Sequence, residues 1–136
     1  MSVSSKEDTL SKLFDERGAD VYSRMCPSRE VLEHVTSRWG VLVLAALSER
    51  TYRFSELRRR VDGVSEKMLA QTLQTLERDG FVLRRAFPVI PPHVEYSLTA
   101  LGAEAAELVV QLAAWAQRRV PDVMAAREAA AEGQAS

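Results

Sequence analysis

The stretch that most restricts the possible folds runs from Phe54 to Gly80, FSELRRRVDGVSEKMLAQTLQTLERDG. Leu69, Leu73 and Leu76 stand at i, i+4 and i+7. That spacing places three leucines on one side of an α-helix and demands a core beneath them. Leu57 and Val61, four apart, mark the inner side of a shorter helix just upstream. Between the two, Asp62-Gly63 is a turn dipeptide, and Ser65 is suited to cap the second helix through its side-chain oxygen. Gly80 closes that helix where a left-handed backbone is favoured. At about 100° per residue, the side opposite the leucines carries Lys67, Gln71, Gln74 and Arg78. All four are hydrogen-bond donors and none is acidic. This is the pattern of a helix-turn-helix whose second helix can enter a major groove. A merely solvated outer face has the same polarity, so the flanking sequence has to decide.

The chain has 136 residues, enough for one compact domain with a core. It contains no run of about 18 apolar residues, so no membrane span is expected. The start, MSVSSKEDTL, lacks the basic and then apolar order of a secretory signal. One cysteine, Cys26, allows no internal disulfide framework and fits a reducing compartment. A cytoplasmic protein is expected. The net charge of -1 speaks against nucleic acid only until its distribution is read. Residues 24–85 hold twelve basic and eight acidic side chains, against a net -2 before them and -3 after them. Positive charge gathers where the helix-turn-helix lies, and phosphate binding depends on local charge.

In chain order, residues 1–23 read as a helical arm from about Lys6 to Tyr22, with Leu10, Leu13, Phe14, Arg17 and Val21 in a stripe broken by Gly18. Residues 24–99 form the main unit. Pro27 suits a first helical turn, and Val31, Leu32 and Val35 are the expected buried face. WGVLVLAAL, from Trp39 to Leu47, fits a buried strand or a buried helix; its alanines favour a central helix capped by Ser37. Thr51-Tyr52-Arg53 is expected as a short extended link. Phe81 to Phe87 has strand character, prolines 88, 91 and 92 forbid regular structure, and His93 to Thr99 alternates with Val94, Tyr96 and Leu98 on one face. A hairpin after a helix-turn-helix gives the winged-helix order. The fold expected is mainly α with a small β-hairpin wing, a winged helix-turn-helix dimerising through its terminal helices. Residues 100–131 are the expected dimerisation helix, capped by Thr99, with Leu101, Ala105, Leu108, Leu112, Trp115 and Val123 as its stripe and Pro121 as a stop or kink. Residues 132–136 are expected to form a disordered tail.

From Cys26 to Trp115 the chain resembles the HxlR family of bacterial winged-helix transcription regulators, relatives of the MarR group. The resemblance is carried by Cys26-Pro27, Trp39, RFSEL (53–57), VSEKML (64–69), LERDG (76–80) and PPHVEYSLT (91–99). It implies a homodimer on a pseudo-palindromic operator of double-stranded DNA. The chain departs from the family pattern in four places. Thr36-Ser37-Arg38 replaces a common Gly-Gly-Lys, and Phe87 replaces a usual tyrosine. His93 stands where a basic residue is common, and Val89-Ile90 makes the wing tip more apolar than usual.

The candidate DNA contacts are Arg53, Ser55, Ser65, Lys67, Gln71, Gln74, Arg78, Arg84, Arg85 and His93. Glutamine pairs bidentately with adenine, and lysine reaches guanine or phosphate. Arg84 and Arg85 are adjacent strand positions, so at most one lies along the phosphate side. Of Arg58-Arg59-Arg60, one or two at most point at a duplex. Cys26 precedes a helix start between Arg24 and Arg29, which favours the thiolate. Family members sense oxidants through the matching cysteine, so Cys26 is a candidate redox sensor; a small residue with no sensor role is the competing reading. A small-molecule effector is the other candidate signal. His34 and His93 are too far apart in sequence, with no cysteine cluster near either, to suggest a metal site, and no cofactor or enzymatic motif stands out. The alternatives are a winged-helix protein-interaction module without direct DNA binding and, more remotely, a thiol enzyme at Cys26 lacking a nearby base.

Overall fold

A computed structural model describes residues 20–135. Their elements, in order, are α1 (Pro27–Thr36), α2 (Arg38–Glu49), β1 (Tyr52–Arg53), α3 (Phe54–Arg60), α4 (Glu66–Arg78), β2 (Val82–Phe87), β3 (His93–Leu98) and α5 (Ala100–Ala135).

The apolar run after Trp39 is a helix. Ser37 caps it by accepting from the Gly40 amide at 3.1 Å, and alanine and leucine favour the helical state. Gly40, Val43, Leu44, Ala46 and Leu47 are buried, so α2 is the central core element. Leu57 of α3 and Leu69, Leu73 and Leu76 of α4 meet it in one cluster. Each buried leucine contributes about 1.5–3 kcal/mol relative to exposure, which holds the outer side of α4 to the surface.

The sheet is antiparallel with order β1-β3-β2. β2 and β3 pair from Val82↔Leu98 to Phe87↔His93, and Phe81, Val82 and Tyr96 are buried at the base of the hairpin. The expected link at Tyr52-Arg53 is a third strand, pairing Tyr52↔Tyr96 and Arg53↔Glu95. Two residues are too few to show alternation, so only the partner strand reveals them.

Thr99 joins the hairpin to α5. Its hydroxyl accepts from the Gly102 amide at 3.0 Å and donates to the Gly80 carbonyl at 2.6 Å. A Cβ on Gly102 would collide with the Phe81 carbonyl, so only glycine permits this approach.

Expectations change for the face of α1, for the end of α5 and for the last residues of the arm. The face of α1 expected to be buried is largely open: Val31 and Leu32 are exposed, and only Val35 of the three packs on the core. α5 turns Gly102, Ala106 and Val109 inward, with Ala105 packed beside them. The larger Leu101, Leu108, Leu112, Trp115 and Val123 are exposed, because small residues let the helix approach α2 closely. The helix continues through Pro121 to Ala135, so 132–135 are its last turn and not a separate tail. The arm expected to be helical lies mostly outside the described residues, and Val21 and Tyr22 form a turn. No described helix is long and apolar enough to cross a membrane.

Candidate nucleic-acid interface

The geometry begins at the turn before α4. Ser65 accepts from the Met68 amide at 3.1 Å, fixing the start of the helix, and Gly80, at φ +85°, ends it. Because Leu69, Leu73 and Leu76 are sealed, Lys67, Gln71, Gln74 and Arg78 all stand exposed on the outer face. The four span about 16 Å along the axis at 1.5 Å per residue. None makes an ion pair among the described residues. Ser65 is exposed at the same end, its oxygen already engaged as a cap.

Arg53 and Ser55 are exposed at the start of α3. The Arg53 amide donates to Glu56 Oε1 at 2.8 Å, and this bond is the first cause holding the Glu56 carboxyl below its usual range. In the triple-arginine run, Arg58 pairs with Glu66 at 3.0 Å, and Arg60 grips Glu49 through two bonds of 3.0 and 3.1 Å. Arg60 is the main reason the Glu49 carboxyl titrates low. Arg59 has no such partner among the described residues, so it is the free cation of the three.

On the wing, Arg84 lies across from Tyr96 and Arg85 across from Glu95, on opposite faces as adjacent strand positions must be. Both are exposed, and Arg85 also packs over the Phe87 ring at 4.9 Å. His93 is turned away from solvent, with its side chain 18% exposed. Its Nε2 meets Glu95 Oε2 at 3.0 Å and its ring stacks on Phe87 at 4.8 Å. The structure therefore places His93 as a brace of the wing.

Sequence reasoning missed two features. Arg38, exposed over the Trp39 ring at 4.6 Å, faces α4 across a groove of about 460 Å³ that Gln71, Thr72 and Thr75 also line. Its position in the first turn of α2 was the available signal. His34 Nδ1 meets Asp79 Oδ2 at 2.5 Å, tying α1 to the end of α4. That pair is 45 residues apart, and no local pattern reveals it.

Cys26 is the N-cap of α1 and half-buried. Its thiol is held below the ordinary cysteine range, first by the Ser28 hydroxyl and then by the amides of Ser28 and Asp20. The helix start acts as expected. The flanking guanidinium does not: Arg29 is turned to the Tyr22 carbonyl at 3.0 Å and to Glu33 at 3.3 Å. Among the described residues no group of three or more acidic, histidine or cysteine side chains is arranged to hold a metal.

The sequence pattern of HxlR-like helix-turn-helix proteins matches residues 34–124. The chain belongs to the HxlR family. Its relatives include the HTH-type transcriptional regulator YtfH of Escherichia coli K12, 62% identical over 109 residues, covering 80% of this chain and 86% of YtfH. Among solved structures, the transcriptional regulator ytfH of Salmonella typhimurium matches with a TM-score of 0.77 and 60% identity, over 80% of this chain and 97% of that one. The redox regulator HypR in its oxidized form matches with a TM-score of 0.63 and 32% identity, over 68% and 96%. Membership in the HxlR family makes this chain a transcriptional regulator of helix-turn-helix type with a winged fold, and not an enzyme.

Proposed function

We propose that two copies of the chain bind a pseudo-palindromic operator in the cytoplasm, each laying α4 in a major groove. Lys67, Gln71 and Gln74 meet base edges there. Arg53, Ser55, Ser65, Arg78 and Arg84 meet phosphates, with Arg59 and Arg38 beside them. The observation that carries this reading is the acid-free outer face of α4, held outward by three buried leucines. The exposed Leu108, Leu112 and Trp115 of α5 are the dimer contact. Half-sites then lie about 34–36 Å apart, one turn of the duplex, or a multiple of it.

The signal is an oxidant or electrophile at Cys26. Its lowered thiol pKa supports this, as does likeness to a protein described as a redox regulator. With one cysteine per chain, a disulfide has to join two protomers or take a small thiol. A second, ligand-gated reading is favoured by a cavity of about 440 Å³ between α2, the turn after α3 and α5, with Leu42, Arg60, Asp62 and Val110 in its wall.

Footprinting upstream of the neighbouring gene, with and without diamide, tests the reading. Two protected half-sites a whole number of turns apart are expected, with protection lost or shifted by diamide in the parent and unchanged in Cys26→Ser. A salt-independent interaction with no protected duplex would refute operator binding. An identical diamide response in Cys26→Ser would remove Cys26 as the sensor.

A further inference from the structure

We infer that Ile90, at the tip of the β2–β3 wing, is an apolar wedge that enters the minor groove beside each half-site and parts a base step there. The inference rests on the duplex-binding reading above.

Ile90 is 99% exposed, the most open large apolar side chain described, and its neighbour Val89 is also exposed. Both stand at the end of an arm. β2 and β3 pair over six positions, about 20 Å at roughly 3.4 Å per residue. Val82 is buried at the root while Leu83 to Ala86 are exposed, so β2 leaves the core almost at once. Half a turn of duplex is about 17 Å. An arm of this length, rooted at the end of α4, spans from the major groove that α4 occupies to the adjoining minor groove.

The arm is braced for such work. Phe87 and His93 stack at its neck, Arg85 covers Phe87, and His93 holds Glu95. Pro88, Pro91 and Pro92 make up three of the five tip residues and fix their own φ angles. A tip already held in shape loses little entropy on docking.

Charge selects the partner. From Ala86 to Val94 there is no acidic residue, and the next carboxylate, Glu95, is taken by His93. Arg84, exposed on the same arm, supplies a cation for the phosphates that flank the groove. A protein surface is the other occupant an exposed isoleucine can take, but the cationic neighbour and the root beside α4 favour the duplex. Isoleucine has no donor or acceptor with which to read base edges. What it can do is fill the gap between two bases, which is least costly at flexible pyrimidine–purine steps.

The full chain is used to select a duplex from a randomised pool, and 2-aminopurine is placed at each step flanking the selected half-sites. The parent should raise fluorescence at one pyrimidine–purine step per half-site. Ile90→Ala and Ile90→Ser should abolish that rise and weaken binding about ten-fold. The slope of affinity against salt should not change, because no charge is lost. Arg84→Ala should do the reverse, lowering the slope and keeping the rise. Circular dichroism of the Ile90 variants should match the parent, as expected for a side chain outside the core. Ile90 variants that match the parent in affinity and fluorescence would overturn the wedge and leave duplex binding standing. Tight parental binding with no rise at any step would overturn it equally. A pool that yields no duplex would overturn both readings.

Discussion

α4 and α5 both carry leucines at helical spacing, yet they use them in opposite ways. α4 hides Leu69, Leu73 and Leu76 completely and shows polar side chains. α5 turns Gly102, Ala106 and Val109 to the core and shows Leu108, Leu112 and Trp115, the first of them 68% exposed. The difference teaches that an apolar stripe says where burial is needed but not whether the same chain supplies it. In α4 the covering surface is chiefly α2, with β2 and α1 beside it, all nearby in sequence. In α5 the chain covers only the first three turns, and the apolar side chains beyond them stand exposed, where the proposed dimer contact lies.

This comparison can be broken most severely at the leucines of α4. Leu73→Ala should destabilise the protein by about 2–5 kcal/mol, read by urea unfolding, because it opens a cavity in a sealed core. Leu112→Ala, the same change on α5, should cost the isolated protomer less than about 0.5 kcal/mol. Equal costs would erase the distinction. At the start of α5 the contact with the core is backbone against backbone. Gly102→Ala should therefore lower stability by about 2 kcal/mol or more, measured as a fall in thermal midpoint.

Farther along α5 the prediction concerns assembly. Trp115→Glu should leave helicity unchanged by circular dichroism and weaken self-association at least ten-fold by sedimentation, since an aromatic anchor near an interface centre carries about 2 kcal/mol or more. A variant that sediments as the parent does would mean the exposed stripe is not the dimer contact.

How much of this was legible depends on the range over which each signal acts. The capped starts at Ser37, Ser65 and Thr99, the turn at Gly63 and the closing Gly80 are local, and each stands where the sequence places it. The outward face of α4 was legible for the same reason. Strand β1 was not, because two residues gain strand character only from β3. The inward side of α5 was not legible, because the large residues mark the exposed stripe, while the close approaches to Phe81 and α2 are made by glycine, alanine and valine. The half-buried setting of His93, a candidate duplex contact by sequence, was not legible, because its stack on Phe87 depends on a register that sequence does not state.

The smaller predictions sharpen the electrostatic side. Arg59→Ala should weaken duplex binding several-fold and lower its salt slope by about one. Arg60→Ala should do less to binding, because Arg60 is already held by Glu49. The smallest effect is at Cys26. Its thiol pKa is lowered, so thiolate persists at lower pH than in a free cysteine. The rate of iodoacetamide alkylation should rise to half its maximum at a lower pH than for a free cysteine. Ser28→Ala removes the first-named hydrogen bond and should move that midpoint up.

The most direct measurement is the affinity of the double variant Lys67→Ala/Gln71→Ala for a duplex selected by the parent, followed by fluorescence anisotropy beside sedimentation of the free protein. The account predicts binding weakened about a hundred-fold or more, with the sedimentation coefficient unchanged. Parental affinity in the double variant would contradict it, because α4 would then not be the element that reads the duplex.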